Sequence, residues 1–267
     1  MDAAAATVLV VRPRAQADAW VGELAALGVP ARALPLIEIV AAPDPAAVEA
    51  VFAQVEASDA EPVLVFVSPN AVLGFFEAVA GVRGVPVHAL AWPAQARAAA
   101  TGPGTVAALR ECGVAAERIA APAADAAQFD SEALWSAISS WPWARPVWIV
   151  RGNGGRDWLG QRLREAGAQV QVVQSYGRGA PDLSTAERAL LAEAIAAPVR
   201  WIWMFSSSEA IEHLQALAPQ ADWGAARALA SHPRIAERAR ALGFRDVTLV
   251  SPTAVSVAQA LSPTRVA

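Results

Sequence analysis

The chain repeats itself. "VLVVRPRAQADAWVGELAALGVPA" at 8–31 and "VWIVRGNGGRDWLGQRLREAGAQV" at 147–170 share one order: apolar run, arginine, loop, amphipathic stretch, glycine. Arg12 aligns with Arg151, Leu24 with Leu163 and Gly28 with Gly167, all at an offset of 139. "VFVSPNAV" (65–72) aligns with "MFSSSEAI" (204–211) at the same offset. "ATGPGTVAALRECG" (100–113) aligns with "ASHPRIAERARALG" (230–243) at 130, so the second copy is nine residues shorter there. Each copy therefore reads strand–helix, strand–Ser–helix, strand–small–Pro–helix. Apolar runs of four to six residues between helical patterns are the mark of parallel sheets covered on both faces. The repeat thus commits the chain to two similar α/β domains with parallel sheets, and it excludes all-β and all-helical architectures.

Along the chain, strands are predicted at 7–11, 63–67, 87–91, 147–150, 200–205, 226–230 and 247–250. Helices are predicted at about 15–27, 45–57, 70–80, 103–112, 131–140, 156–166, 184–196, 208–217, 233–242 and 253–261. "ALPLIEIV" (33–40) and "AQVQVVQSYGR" (168–178) both alternate, so they are predicted to pair as a two-stranded β connector. The chain would then leave the first domain, build the second and return. That gives a first α/β domain of 1–36 plus 176–267, a second of 39–172, connectors at 33–40 and 168–178, and a ligand cleft between the lobes.

All 21 basic residues are arginine, and the chain has no lysine. Schiff-base chemistry and a P-loop are excluded, since both need a lysine amine. The net charge of −4 gives no general attraction to nucleic acid or to acidic membranes, and no basic–aromatic stripe suggests a single-stranded nucleic acid partner. Cys112 is the only cysteine and reads as a structural thiol; His88, His213 and His232 lack metal-ligand spacing, so no metal site is expected. No apolar run reaches the length of a membrane span, and the opening apolar run reads as the first strand, which suggests a cytoplasmic protein.

In an open parallel sheet, ligands bind beyond the carboxyl ends of the strands. The candidate site is therefore the set of strand-to-helix junctions. These are Arg12; Ser68, Pro69 and Asn70; Gly102 and Thr105; Arg151, Gly152, Gly154, Gly155 and Arg156; Ser206, Ser207 and Ser208; and His232, Pro233 and Arg234. Ser68, Ser207 and Thr101 also suit plain helix N-caps, worth about 1 kcal/mol each. Taken together, free N–H groups at helix starts and guanidinium forks suit a polyanion. "RGNGGR" does not fit the dinucleotide fingerprint. No metal set, nucleophile elbow or carboxylate pair stands at a junction. Tyr176, the only tyrosine, lies in the return connector, where it is either a proton donor or half-buried connector surface; Glu38 in the outgoing connector has no identifiable partner.

With these segments in order, "VLVVRP", "LPLIEI", "FVSPNAV", "TGPGTVAALRECG", "RGNGGRDWLGQRLREAGAQV", "QSYGR", "MFSSSEAI" and "SHPRIAERARALGF", the chain resembles the uroporphyrinogen-III synthase family over nearly its full length. The resemblance implies a cytoplasmic, cofactor-free monomer that acts in tetrapyrrole (heme) biosynthesis. Such a lyase cyclises hydroxymethylbilane, a linear tetrapyrrole octacarboxylate, with loss of water and inversion of the last ring. It implies that Ser68, Thr105, Tyr176 and Ser207 belong to the substrate cleft, with Tyr176 as candidate proton donor. Many family members have Gly-Pro-Thr-Thr where this chain has His232-Pro233-Arg234-Ile235. That departure removes two hydroxyls and makes Arg234 a candidate carboxylate ligand. The alternative is a non-enzymatic two-lobed small-anion sensor, although no DNA-binding element accompanies the lobes. A nucleotide-sugar transferase would need carboxylates for a metal at a strand end, and none is found there.

Overall fold

Strands whose side chains are apolar on both faces need cover on both, and helices supply it in two places. The computed structural model describes residues 6–123, 126 and 128–262. In chain order it runs β1 (Thr7–Val10), α1 (Arg14–Ala26), β2 (Ala31–Ala33), β3 (Glu38–Ala41), α2 (Pro45–Glu56), β4 (Val63–Phe66), α3 (Pro69–Arg83), β5 (Arg97–Ala100), α4 (Pro103–Glu111), β6 (Ile119–Ala120), α5 (Ser131–Ile138) and β7 (Pro146–Arg151). It continues α6 (Trp158–Glu165), β8 (Gln169–Gln174), β9 (Tyr176–Gly179), α7 (Thr185–Ala196), β10 (Trp201–Phe205), α8 (Ser208–Leu217), β11 (Arg227–Ala230), α9 (Pro233–Leu242), β12 (Asp246–Leu249) and α10 (Ala254–Leu261).

The chain divides into two units, one of residues up to Glu38 with those from Gly179 onward, the other Ile39–Arg178. Each holds a parallel five-stranded sheet. The orders are β12-β11-β10-β1-β2 in the first and β6-β5-β4-β7-β8 in the second. The sheets correspond strand for strand: β1 with β7, β2 with β8, β10 with β4, β11 with β5, β12 with β6. The first unit therefore takes β1 and β2 from the first sequence copy and its other three strands from the second copy, and the second unit takes β4, β5 and β6 from the first copy and β7 and β8 from the second.

In the second unit the period of two along each strand sorts side chains to opposite faces. Leu64, Phe66, Trp148 and Val150 join Phe52, Phe75 and Phe76 on one face. Val63, Val65, Val147 and Ile149 join Leu134, Leu159 and Leu163 on the other. In the first unit Val8, Val10, Ile202 and Met204 pack with Trp20, Leu24 and Val257. Trp203, Phe205, Trp223 and Phe244 form an aromatic cluster with ring centroids 5.3–6.3 Å apart.

Two expectations are corrected. Residues 87–91 are not a strand: Val87–Ala89 form a 3-10 turn after Pro86, and the strand is the alanine run Arg97–Ala100. Ala98, Ala99 and Ala100 are fully buried between helices and bulky rings, where small side chains are what fits. The connectors at 33–40 and 168–178 are also shorter than predicted. β2 and β8 are edge strands of the five-stranded sheets, and only β3 and β9 pair as a two-stranded sheet. Tyr176, Gly177 and Arg178 accordingly fall in the second unit, not with 179–267.

Candidate active site

In the second unit the strand-to-helix junctions after β4 and β7 meet at a cavity of about 310 Å³. Of the predicted residues, Ser68, Arg151, Gly152, Gly154, Gly155, Arg156 and Tyr176 line it. Tyr176 opens β9 and is only 7% exposed, its ring packed into the aromatic face of the core. Its Oη lies 3.4 Å from the Ser68 Oγ. The same Ser68 oxygen accepts the Ala71 N–H at 3.2 Å, and Pro69 follows at the first helical position. Capping α3 thus fixes the hydroxyl that meets the phenol. Ser68 is therefore the helix cap, and its hydroxyl also faces the phenol.

The glycine loop shapes the cavity wall. Gly154 and Gly155 have φ of 78° and 107°, in the region that favours glycine. Gly152 answers a different need: a Cβ there would lie 2.6 Å from the Tyr176 Cζ, so the backbone passes directly against the phenol. Asp157 precedes α6 but makes no cap bond, pairing instead with Arg164 at 2.9 Å.

The guanidinium groups differ in their engagements. Arg156 forms a two-pronged pair with Glu132 at 2.8 and 3.1 Å, which raises the arginine pKa and lowers that of the carboxyl through the hydrogen bonds. Arg151 has no side-chain partner among the described residues and stands half-buried at the end of β7. Among the cavity residues that sequence reasoning did not single out are Asn153, inside the "RGNGGR" junction, and Arg178. The Asn153 carboxamide donates to the Arg178 carbonyl at 3.0 Å and accepts the Arg178 N–H at 2.6 Å. An asparagine amid glycines was the available signal.

Pro69, Asn70, Gly102 and Thr105 do not line this cavity. Thr105 is 3% exposed, in the first turn of α4. Thr101 is not the cap of α4; Gly102 holds that position, and the Thr101 hydroxyl donates to the Val67 carbonyl at 3.1 Å.

The first unit carries the remaining candidates. Arg12 lies in the loop between β1 and α1 with its guanidinium carbon 4.2 Å from the centre of the Trp20 ring, and burial lowers its pKa against the opposing pull of Glu23. Ser207 caps α8 by accepting the Glu209 N–H at 3.2 Å; Ser206 and Ser208 flank it, half-buried. His232 caps α9: its Nδ1 accepts the Arg234 N–H at 3.2 Å, and Pro233 takes the first helical position. The imidazole therefore does what a hydroxyl or carboxyl usually does at a helix start. Arg234 is exposed, and Ile235 is buried in the core. No group of three or more His, Cys, Asp or Glu suited to a metal ion occurs among the described residues. No helix among them is long and apolar enough to cross a membrane.

Residues 18–259 match the model of the uroporphyrinogen-III synthase HemD family. The chain belongs to the uroporphyrinogen-III synthase family. It is 31% identical over 256 residues to the uroporphyrinogen-III synthase of Salmonella typhimurium, covering 90% of this chain and 93% of that one. A shorter match to the Escherichia coli K12 enzyme is 35% identical over 105 residues, covering 37% of this chain and 41% of that one. Among solved structures, a mutant uroporphyrinogen III synthase from Thermus thermophilus aligns with a TM-score of 0.54 at 19% identity, covering 96% of this chain and 97% of that one. The Helicobacter pylori 26695 uroporphyrinogen-III synthetase aligns at 0.53 and 16%, covering 96% and 99%. At such identities these structures speak to the two-domain α/β fold alone. Family membership does not favour the two-lobed sensor.

Proposed function

We propose that the chain is a cyclising lyase that closes hydroxymethylbilane to uroporphyrinogen III, with Tyr176 as proton donor. The terminal hydroxymethyl C–O bond breaks and the oxygen leaves as water, carrying the phenol proton. The methylene carbon left behind is an electrophile. Attack on it by the substituted α-carbon of the last ring, rather than by the free α-carbon, forms a spiro intermediate. The bond from that carbon to the preceding methylene bridge then breaks and re-forms at the free α-carbon, which loses its proton, and the ring is inverted. The linear substrate also closes unaided to the uninverted isomer. The protein's task is therefore orientation, with acid help at the hydroxyl.

The observation that carries this reading is the Tyr176–Ser68 contact of 3.4 Å on the wall of an arginine-bearing cavity in a family member. Ser68 keeps the phenol oriented and is placed to return its proton. Arg151 and the glycine loop supply cationic and N–H groups for acetate and propionate side chains. The cavity is at the low end for a drug-sized ligand, so it suits part of a tetrapyrrole. We also propose that the protein is a cytoplasmic monomer that needs no cofactor. Incubation of purified protein with hydroxymethylbilane, followed by separation of the product isomers, tests the activity. Isomer III in excess of isomer I is expected; isomer I alone at the spontaneous rate refutes it.

A further inference from the structure

Asparagine in a glycine-rich loop usually reports a left-handed backbone, which it tolerates better than most residues. Asn153 does not: no residue other than glycine has positive φ among those described. Nor is it there to fill space, since its side chain is exposed. What it does is hold both backbone polar groups of one residue, taking the Arg178 N–H at 2.6 Å and donating to the Arg178 carbonyl at 3.0 Å. Among side chains, only a carboxamide offers an uncharged donor and acceptor side by side in the manner of a peptide group.

The clamp spans the two segments that enclose the phenol. Arg178 is two residues after Tyr176 on β9, and Asn153 directly follows Gly152. Gly152 has no room to move towards the ring, as a Cβ at 2.6 Å from Cζ shows. Behind the ring, β9 is already anchored: the Ser175 hydroxyl donates to the Ala71 carbonyl at 2.9 Å in a fully buried site. The Arg151 carbonyl accepts the Ser175 N–H at 2.9 Å and holds the start of the loop, but the two left-handed glycines after Asn153 need a further restraint to stay near the phenol. The Asn153 side chain supplies that restraint.

We infer that Asn153 is a positioning residue for Tyr176: its two hydrogen bonds to Arg178 lock the glycine loop to β9 and so fix the Tyr176–Ser68 geometry. Its catalytic consequence rests on the reading of Tyr176 as proton donor, but its structural content does not.

Tyr176 is the only tyrosine, so tyrosine labelled with carbon-13 at the ζ position gives one resonance that reports this ring alone. Asn153→Ala should shift and broaden that line, lower kcat by about 10- to 100-fold as expected for a misplaced reacting group, and leave KM within about twofold. Asn153→Asp keeps the acceptor and loses the donor, so it should give an intermediate shift and an intermediate rate; it carries the same readout if the alanine variant does not fold. Gly152→Ala, which displaces the ring without removing the clamp, shows the size of a true displacement. A wild-type line in Asn153→Ala overturns the inference, and so does a fall in kcat with an unmoved line. If the line moves but Tyr176→Phe turns over at the wild-type rate, the positioning role stands and the proton-donor reading falls.

Discussion

Tyr176 and Ser68 sit on one cavity wall, and the arginines that line the same cavity differ in their engagements. Tyr176→Phe keeps the packing of a ring that is 7% exposed and removes only the hydroxyl. Turnover should fall roughly 10²-fold, the low end for a lost general acid. If carboxylate contacts fold the substrate, as proposed, the product should remain the inverted isomer. Product isomer ratio, corrected for spontaneous closure, is the measurement; a slow variant yielding mainly the uninverted ring would assign the phenol to orientation instead. The arginines should differ as well. Arg151 has no competing side-chain partner among the described residues, so Arg151→Ala should weaken apparent substrate binding by about 1.5–3 kcal/mol. Arg156 is held by Glu132 at 2.8 Å in an exposed pair and must exchange partners to bind, so Arg156→Ala should cost less, about 0–1 kcal/mol. Michaelis constants at two salt concentrations separate them, and equal effects would mean that the Glu132 pair does not persist in solution.

At the scale of elements, polar residues at strand and helix ends decide alignment. Glu61 precedes β4 and accepts from Arg97 of β5 at 2.7 Å and from Arg145, beside β7, at 2.6 Å. These hydrogen bonds, Arg97's foremost, lower its pKa. A carboxyl whose folded pKa is depressed adds stability that is fully present above its unfolded pKa and is lost as pH falls through the folded value. Glu61→Gln should therefore lower the melting temperature at neutral pH, by an amount equivalent to about 0.5–1 kcal/mol for part-exposed pairs. The difference from the wild type should shrink as pH drops below the usual carboxylate range. Melting curves across pH check this; a difference independent of pH would attribute the loss to packing. The same scale explains why most elements were legible in the sequence. Ser68 and Ser207 read as caps and are caps. Thr101 did not cap because the chain turns one residue later, at Gly102, leaving its hydroxyl to the Val67 carbonyl.

At the scale of the molecule, the second unit is one continuous stretch, Ile39–Arg178, with a core on each face of its sheet. The first unit is made of two pieces. A fragment of 39–178 should fold alone, since it has a domain's length and its own cores. It contains Tyr176, Ser68 and Asn153, so its tyrosine resonance should match that of the whole chain. Cooperative thermal unfolding by circular dichroism is expected; a gradual melt with no transition would show that the unit depends on the rest of the chain.

By itself the sequence determined the α/β class and the duplication. Both rest on local signals: apolar runs of four to six residues, helical periodicity, and a repeated offset that needs no knowledge of contacts. It also named the cavity-lining residues Ser68, Arg151 and Gly152, because strand-to-helix turns are legible from order alone, and Tyr176 from its place in the return connector. Tertiary structure decided what depends on partners distant in the chain. An alanine run became β5 because its place between large rings rewards small side chains, against its weak strand propensity. The stretches 33–40 and 168–178 each divided, because β2 and β8 found edges of the parallel sheets before the ladder began. Asn153 met Arg178 across 25 residues through a hydrogen-bond geometry that no periodicity announces. Each sheet then drew strands from both sequence copies, since pairing follows which edges meet in space and not which residues are neighbours in the repeat.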